Sequence, residues 1–189
     1  SPVVWRIDTL NNEAGGQIAS ADTWSIASVS GTGGTALTNK GTLSSNMALD
    51  ANFSSLINSG TLTSSLAAST TASNWTVGTL TNTSTGTLFS GGDLLVNAGT
   101  APRGVTLTNE GVFQANKNLT LAFDTLVLPK GEEIGGALSG AGTFNLGVTN
   151  ALGLEGLLFS KQNLVANFGN NLTIRPDGSV IALNDLSIT

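Results

Sequence analysis

The sequence predicts an all-β chain, a right-handed parallel β-helix (β-solenoid) of about eight coils with short loop excursions. Three observations point there. One short phrase recurs at a spacing typical of solenoids. Apolar residues alternate at period two rather than along a helical stripe. The runs between them are filled by Ser, Thr, Asn and 24 glycines, residues that supply turns and tolerate φ > 0. The 189 residues read as a single β-helical segment, with residues 151–189 forming a less regular end.

The phrase is an apolar residue, a small polar stretch with Asn, then Gly, any residue and another apolar residue. It appears as Leu37-Thr-Asn-Lys-Gly-Thr-Leu43, Leu56-Ile-Asn-Ser-Gly-Thr-Leu62, Leu80-Thr-Asn-Thr-Ser-Thr-Gly-Thr-Leu88 and Leu107-Thr-Asn-Glu-Gly-Val-Phe113. Looser copies are Leu10-Asn-Asn-Glu-Ala-Gly-Gly-Gln-Ile18 and Leu138-Ser-Gly-Ala-Gly-Thr-Phe144. Their glycines at 16, 41, 60, 86, 111 and 142 give a mean step of about 25 residues. In a stack of coils a corner Asn or Gly lies directly above its copy in the next coil, so one backbone constraint repeats. A β-sandwich, the competing all-β arrangement, has no such reason to repeat a phrase. At a strand spacing of ~4.8 Å the stack would be roughly 38 Å long.

Within the units, Met47–Phe53, Leu94–Val96, Val105–Leu107 and Leu119–Phe123 alternate as half-buried strands do. Two stretches depart from the pattern. Residues 129–137 concentrate charge in a bland chain and read as a projecting loop, and residues 97–104 read as a smaller excursion. In the tail, Leu154, Leu157, Leu158, Leu164, Val165 and Phe168 fit one helical face, whereas Gly156 disfavours a helix, so helix and strand both stand. Residues 172–183 read as strand, tight turn at Arg175-Pro-Asp-Gly178, strand.

Composition narrows the function. Charged residues make up 10%, seven Lys+Arg against twelve Asp+Glu give a net charge of −5, and His, Cys and Tyr are absent. Ser-His-Asp and Cys-His catalysis, zinc fingers, iron–sulfur clusters and conventional haem ligation are therefore excluded. No cofactor and no metal site are expected; Ser90-Gly-Gly-Asp93 is one fragment of a calcium-binding nonapeptide, and one ligand makes no cage. An acidic, charge-poor chain lacks the basic stripe for nucleic acid. No apolar run approaches the ~18 residues of a membrane span, so no membrane insertion of this segment is expected. Forty percent hydrophobic residues and a mean hydropathy of +0.19 speak against disorder.

The repeated phrase, together with Gly92-Asp-Leu-Leu-Val96, Asn118-Leu-Thr-Leu121 and Asn171-Leu-Thr-Ile174, resembles the repeats of filamentous-haemagglutinin-type exoproteins. These are very large proteins of Gram-negative bacteria secreted by the two-partner route, among them adhesins and contact-dependent growth inhibition effectors. The likeness covers residues 10–150 well and 151–189 less well. The family's Asn-Pro-Asn-Gly secretion motif is missing, so no site residue carries over. The resemblance implies an internal repeat segment at the bacterial surface, reached through an outer-membrane transporter, that contacts a receptor protein or glycan. The absence of Cys suits passage in an unfolded state.

Functional residues are then few. A β-helix that degrades polysaccharide needs convergent carboxylates or Asp-bound calcium. Here most acids stand alone, only Glu132 and Glu133 are adjacent, and Asp93 and Asp124 are the pair that stacking could bring together. The segment is read as non-catalytic, with polysaccharide binding or degradation as the alternative. Lys130, Glu132 and Glu133 on the charged loop and Arg103 on the smaller excursion are the candidate partner contacts; the bland reading is that they keep their loops solvated. Trp5, Trp24 and Trp75 could stack on sugars, but Trp24-Ser-Ile26 and Trp75-Thr-Val77 read as strands with buried rings. The Asn-x-Ser/Thr triplets at 52, 74, 82, 118 and 171 are as frequent as chance makes them.

Overall fold

A computed structural model describes residues 3–28, 34–65, 70–99, 103–130, 136–151 and 153–189. Every strand pairing among them is parallel. The first coil holds β1 (Val3–Arg6), β2 (Thr9–Asn12) and β3 (Gln17–Ser20), and the second β4 (Trp24–Ala27), β5 (Gly34–Asn39) and β6 (Thr42–Ser45). Then come β7 (Leu49–Asn58) with β8 (Thr61–Ser64), and β9 (Ser73–Asn82) with β10 (Thr87–Ser90). The fifth coil contains β11 (Leu94–Val96), β12 (Gly104–Asn109) and β13 (Val112–Ala115), and the sixth β14 (Leu119–Val127) and β15 (Ala137–Gly140). β16 (Phe144–Ala151) with β17 (Leu157–Ser160), β18 (Leu164–Phe168) with β19 (Ser179–Ala182), and a final β20 (Leu186–Ile188) complete the stack. From β3 to β19 the chain makes about seven full turns, close to the predicted eight coils.

The short strands β3, β6, β8, β10, β13, β15, β17 and β19 form one face. The remaining strands form a second sheet that is bent along its length. β7 pairs with β4 through Leu49–Ala51 and with β5 through Phe53–Asn58. Between those halves its alternation slips, because Ser54 and Ser55 in sequence both avoid full burial. The same slip falls at Gly78-Thr79 in β9 and Asp124-Thr125 in β14, so these residues mark a corner of the coil. Each coil thus has three sides around a thin core.

Period-two alternation aligns identical side chains along the stack. Leu37, Leu56, Leu80, Leu107 and Leu126 form one apolar column, and Leu43, Leu62, Leu88, Phe113, Leu138 and Leu158 another, all essentially inaccessible. Burying each such side chain contributes about 1.5–3 kcal/mol, which is the main stabilising term in a chain without disulfides. Trp24 and Trp75 are buried in this core as expected, and Trp5 packs on Trp24 edge to face at 4.7 Å.

The recurring Asn is also in the interior. Asn12, Asn39, Asn58, Asn82 and Asn109 occupy equivalent register positions, and each Nδ2 donates to the Oδ1 of the next at 2.8 Å. Each Nδ2 also caps the carbonyl of the phrase's glycine, as Asn58 does to Gly60 O at 3.0 Å. Five amides and their glycine corners are thereby tied by four inter-amide bonds into one continuous polar ladder with Asn109 at its end.

The column of corner glycines corrects one copy of the phrase. Backbone bonds from Thr42, Thr61, Thr87, Val112, Ala137, Leu157 and Ser179 to the preceding coil's corner carbonyl run Gly16, Gly41, Gly60, Gly86, Gly111, Gly136 and Gly156. The sixth-coil glycine is therefore Gly136, not Gly142. Gly142 sits one corner further on, against Asn118, and Leu138 belongs to the short-strand face. The phrase was displaced by one strand because the corner here is long: Leu128 takes the Asn position, and the glycine follows eight residues later instead of two or four. Gly136 still packs against the Leu128 side chain at this corner, and the buried Leu128 and Leu154 continue the column as apolar residues.

The tail follows the same scheme. Residues 154–168 contain β17 and β18 rather than a helix, each in register with the coil before. The Arg175–Gly178 turn forms, with Gly178 N–H donating to Arg175 O at 2.8 Å. Its first flank is a single bridge, Ile174 to Leu154, rather than a full strand. No helix of the described residues is long and apolar enough to cross a membrane.

Candidate functional site

The outward surface is mostly Ser, Thr and Asn, so the few charged residues stand out. Of the four predicted contacts, Glu132 and Glu133 lie outside the described residues. Lys130 is exposed, and its Nζ pairs with Asp177 at 3.1 Å while its backbone N–H donates to Glu155 Oε2 at 3.4 Å. Arg175 Nη1 meets Glu155 Oε1 at 2.7 Å. Lys130, Glu155, Arg175 and Asp177 come from three successive corners and form a small ion-pair network beside Leu128 and Leu154. The hydrogen bond from Arg175, then that from the Lys130 N–H, holds the Glu155 carboxyl below its usual range. Sequence reasoning placed Lys130 on a free charged loop and missed these partners, because they lie 25 to 47 residues away.

Arg103 lies elsewhere, on the face formed by β14, β16 and β18. It borders a depression of about 260 Å³ together with Asn97, Thr120, Ala122, Asn145, Gly147 and Asn167. Its guanidinium rests over Gly147, where an added Cβ would lie 3.6 Å from Nη2. Register puts Ala122, Gly147 and Asn167 in one outward row and Thr120, Asn145 and Val165 in the next but one position along the strands. No ion pair to Arg103 occurs among the described residues.

The excursion that delivers Arg103 begins at Asn97. This residue has φ 54° and is buried. Its side chain takes over from the strand that β11 has just ended: Val77 N–H donates to Asn97 Oδ1 at 2.8 Å, and Asn97 Nδ2 donates to Val77 O at 3.0 Å. Pairing resumes with β12 at Gly104, where a side chain would strike Asn97 Nδ2 and the Phe123 ring at 2.4 Å. Interruption of the strand between Val96 and Gly104 agrees with the predicted excursion, although residues 100–102 lie outside the described ones.

The acids that stacking was to unite do not meet. Asp93 stacks on Asn118, whose N–H it accepts at 3.0 Å, whereas Asp124 sits six residues further along that same coil, beside Thr149. Asp50 in turn accepts from Asn74 N–H at 2.9 Å. These carboxylates serve as outward rungs between coils. Among the described residues no three His, Cys, Asp or Glu side chains gather as metal ligands would. Asn82, one of the Asn-x-Ser/Thr positions, is an inward ladder member with no exposure. Compared with family models, curated proteins and solved structures, the chain matches none.

Proposed function

We propose that the chain is a non-catalytic β-solenoid segment of a large secreted exoprotein of the filamentous-haemagglutinin type. It acts at the bacterial surface as shaft, recognition section or both, in attachment to host or neighbouring cells. The supporting observation is the continuous interior: apolar columns and a five-membered Asn ladder run through successive coils while the exterior is mostly small and polar, with few charges and scattered exposed apolar side chains such as Ile57 and Val105. Such an interior makes a stiff rod whose coils each contact only their neighbours, so it can fold progressively from one end as it leaves a transporter. The interrupted strand at Asn97 and the long corner after Leu128 favour recognition over plain spacing, because a spacer gains nothing from irregular coils.

Polysaccharide binding is the second reading, favoured by the amide-lined depression beside Arg103. Degradation of polysaccharide has less support, since the carboxylates are spent as rungs.

The test is cell binding by the purified segment. Binding that disappears when residues 131–135 are replaced by a Gly-Ser turn, with the β-rich circular dichroism spectrum retained, places recognition on the Lys130–Glu133 loop. Unchanged binding removes that loop as the contact. Release of reducing sugar from a polysaccharide, abolished by Asp93→Asn or Asp124→Asn, would overturn the non-catalytic reading.

A further inference from the structure

We propose that the depression beside Arg103 binds a single carboxylate carried on a sugar, of the uronic or sialic acid type. The inference rests on the reading of this segment as a recognition surface and names the partner chemistry of one place on it.

Of the three arginines, Arg175 is held by Glu155 at 2.7 Å, whereas Arg103 has a setting built around it. A buried Asn97 in a left-handed conformation lets the chain leave the sheet without losing the Val77 pairing. The chain returns at a Gly104 where no side chain fits. The guanidinium then lies over Gly147, in the middle of β16. Glycine within a strand weakens it and commonly marks close approach by another group. Here the approaching group is Arg103 itself, with Nη2 3.6 Å from where the Gly147 Cβ would be.

What the arginine faces is equally specific. The Asn145 amide and the Thr120 hydroxyl, on adjacent coils of the same outward row, make no side-chain hydrogen bond among the described residues. The depression therefore offers a planar guanidinium fork, an amide and a hydroxyl, with Ala122 and Gly147 leaving space between them. A guanidinium fork matches a carboxylate through two parallel N–H···O bonds. Amide and hydroxyl groups suit sugar hydroxyls, and the exposed Val165 in the same lining suits the carbon face of a sugar ring. Net charge argues for one carboxylate rather than many anionic groups: the chain carries −5, so a densely sulfated polymer would be repelled beyond the single arginine.

The experiment is titration calorimetry of the full 189-residue chain with a glucuronate-containing tetrasaccharide and, separately, sialyllactose, each alongside its carboxyl-reduced form. Binding of at least one acidic sugar, loss of affinity of about tenfold or more in Arg103→Gln and in the carboxyl-reduced ligand, and little recovery in Arg103→Lys support the site. Lys161→Gln, at an exposed residue away from both candidate contacts, should bind as the parent does. No binding of either acidic sugar, or binding indifferent to Arg103→Gln, overturns it. Cell attachment in parallel separates the two levels: cells held without acidic-sugar binding refute the groove alone, whereas neither kind of binding refutes the recognition reading as well.

Discussion

Asn97 completes the strand ladder of Val77 with its own side chain, accepting the Val77 N–H at 2.8 Å and donating to the Val77 carbonyl at 3.0 Å. A primary amide has the donor and acceptor geometry of a peptide group, so one residue can stand in for a missing stretch of strand. This lets a coil open on its outer side while its core columns continue past it.

Replacing Asn97 should expose that substitution. Asn97→Ala leaves two buried backbone groups of Val77 unpaired and forces a Cβ-bearing residue without local hydrogen bonding into φ 54°. The expected loss is roughly 2–5 kcal/mol. Asn97→Gly relieves the backbone conformation but not the unpaired groups, so it should be the milder variant. Hydrogen exchange at the Val77 amide should accelerate in both, measured alongside urea denaturation.

The Asn ladder makes a positional prediction. Asn58→Leu removes the acceptor for Asn39 and the donor to Asn82, together with the bonds to Gly60 and Thr87 carbonyls. About 2–4 kcal/mol should be lost. Asn109→Leu, at the ladder's end beside Leu128, disturbs one inter-amide bond along with its bonds to the Gly111 and Ala137 carbonyls, and should cost somewhat less. Equal costs in chemical denaturation would mean that the amides act separately rather than as a chain.

Glycines along the stack should differ sharply. A Cβ on Gly111 would lie 2.3 Å from Gly86 O and 2.4 Å from Thr83 O, both backbone, so Gly111→Ala should prevent folding of that corner. A Cβ on Gly140 meets nothing closer than 3.4 Å, and its register partner in the preceding coil is already Ala115. Gly140→Ala should leave thermal stability unchanged or raise it by about 0.4–1 kcal/mol.

The Lys130–Glu155–Arg175–Asp177 network predicts a pH effect confined to the acid side. The Glu155 carboxyl is held below its usual 4.5 by Arg175 and the Lys130 N–H. A depressed folded value stabilises the fold above the unfolded value, and the stabilisation is lost as pH falls through the lower folded one. The stability difference between the parent and Glu155→Gln should therefore be largest near neutrality and vanish below that folded value. Urea midpoints between pH 3 and 7 measure it, and the difference should be small because these pairs are exposed.

The repeat was legible in the sequence because each coil must present the same corner to the next. The Leu-x-Asn-x-Gly phrase at 37–43, 56–62 and 107–113 is that constraint written out, and alternation at 119–123 is the pleat. Gly136 escaped notice because its corner lost the Asn and lengthened, so the copy at 138–144 looked closer than it was. The 154–168 stretch reads equally as helix or strand because Leu157-Leu158 and Leu164-Val165 place apolar residues on both faces of their strands. The candidate site was less legible. Arg103 stood out only by rarity, and nothing local tied it to Gly147, which lies 44 residues on and one coil beyond β14. The partners of Lys130 were hidden for the same reason: coil stacking joins residues whose separation depends on every intervening corner length.

The central claim is that successive coils lie in register along one axis, and spin-label distances test it most directly. The chain has no Cys, so labels go only where cysteines are introduced. Ser44, Ser139 and Ile181 are outward positions linked through Thr63, Phe89, Gln114 and Phe159 on the short-strand face. Pulsed electron paramagnetic resonance should give a separation of about 19 Å for the Ser44→Cys/Ser139→Cys pair, four coils apart, and about 29 Å for Ser44→Cys/Ile181→Cys, six coils apart, at ~4.8 Å per coil. Separations that do not lengthen in that proportion, or that come out equal for the two pairs, would contradict the stack.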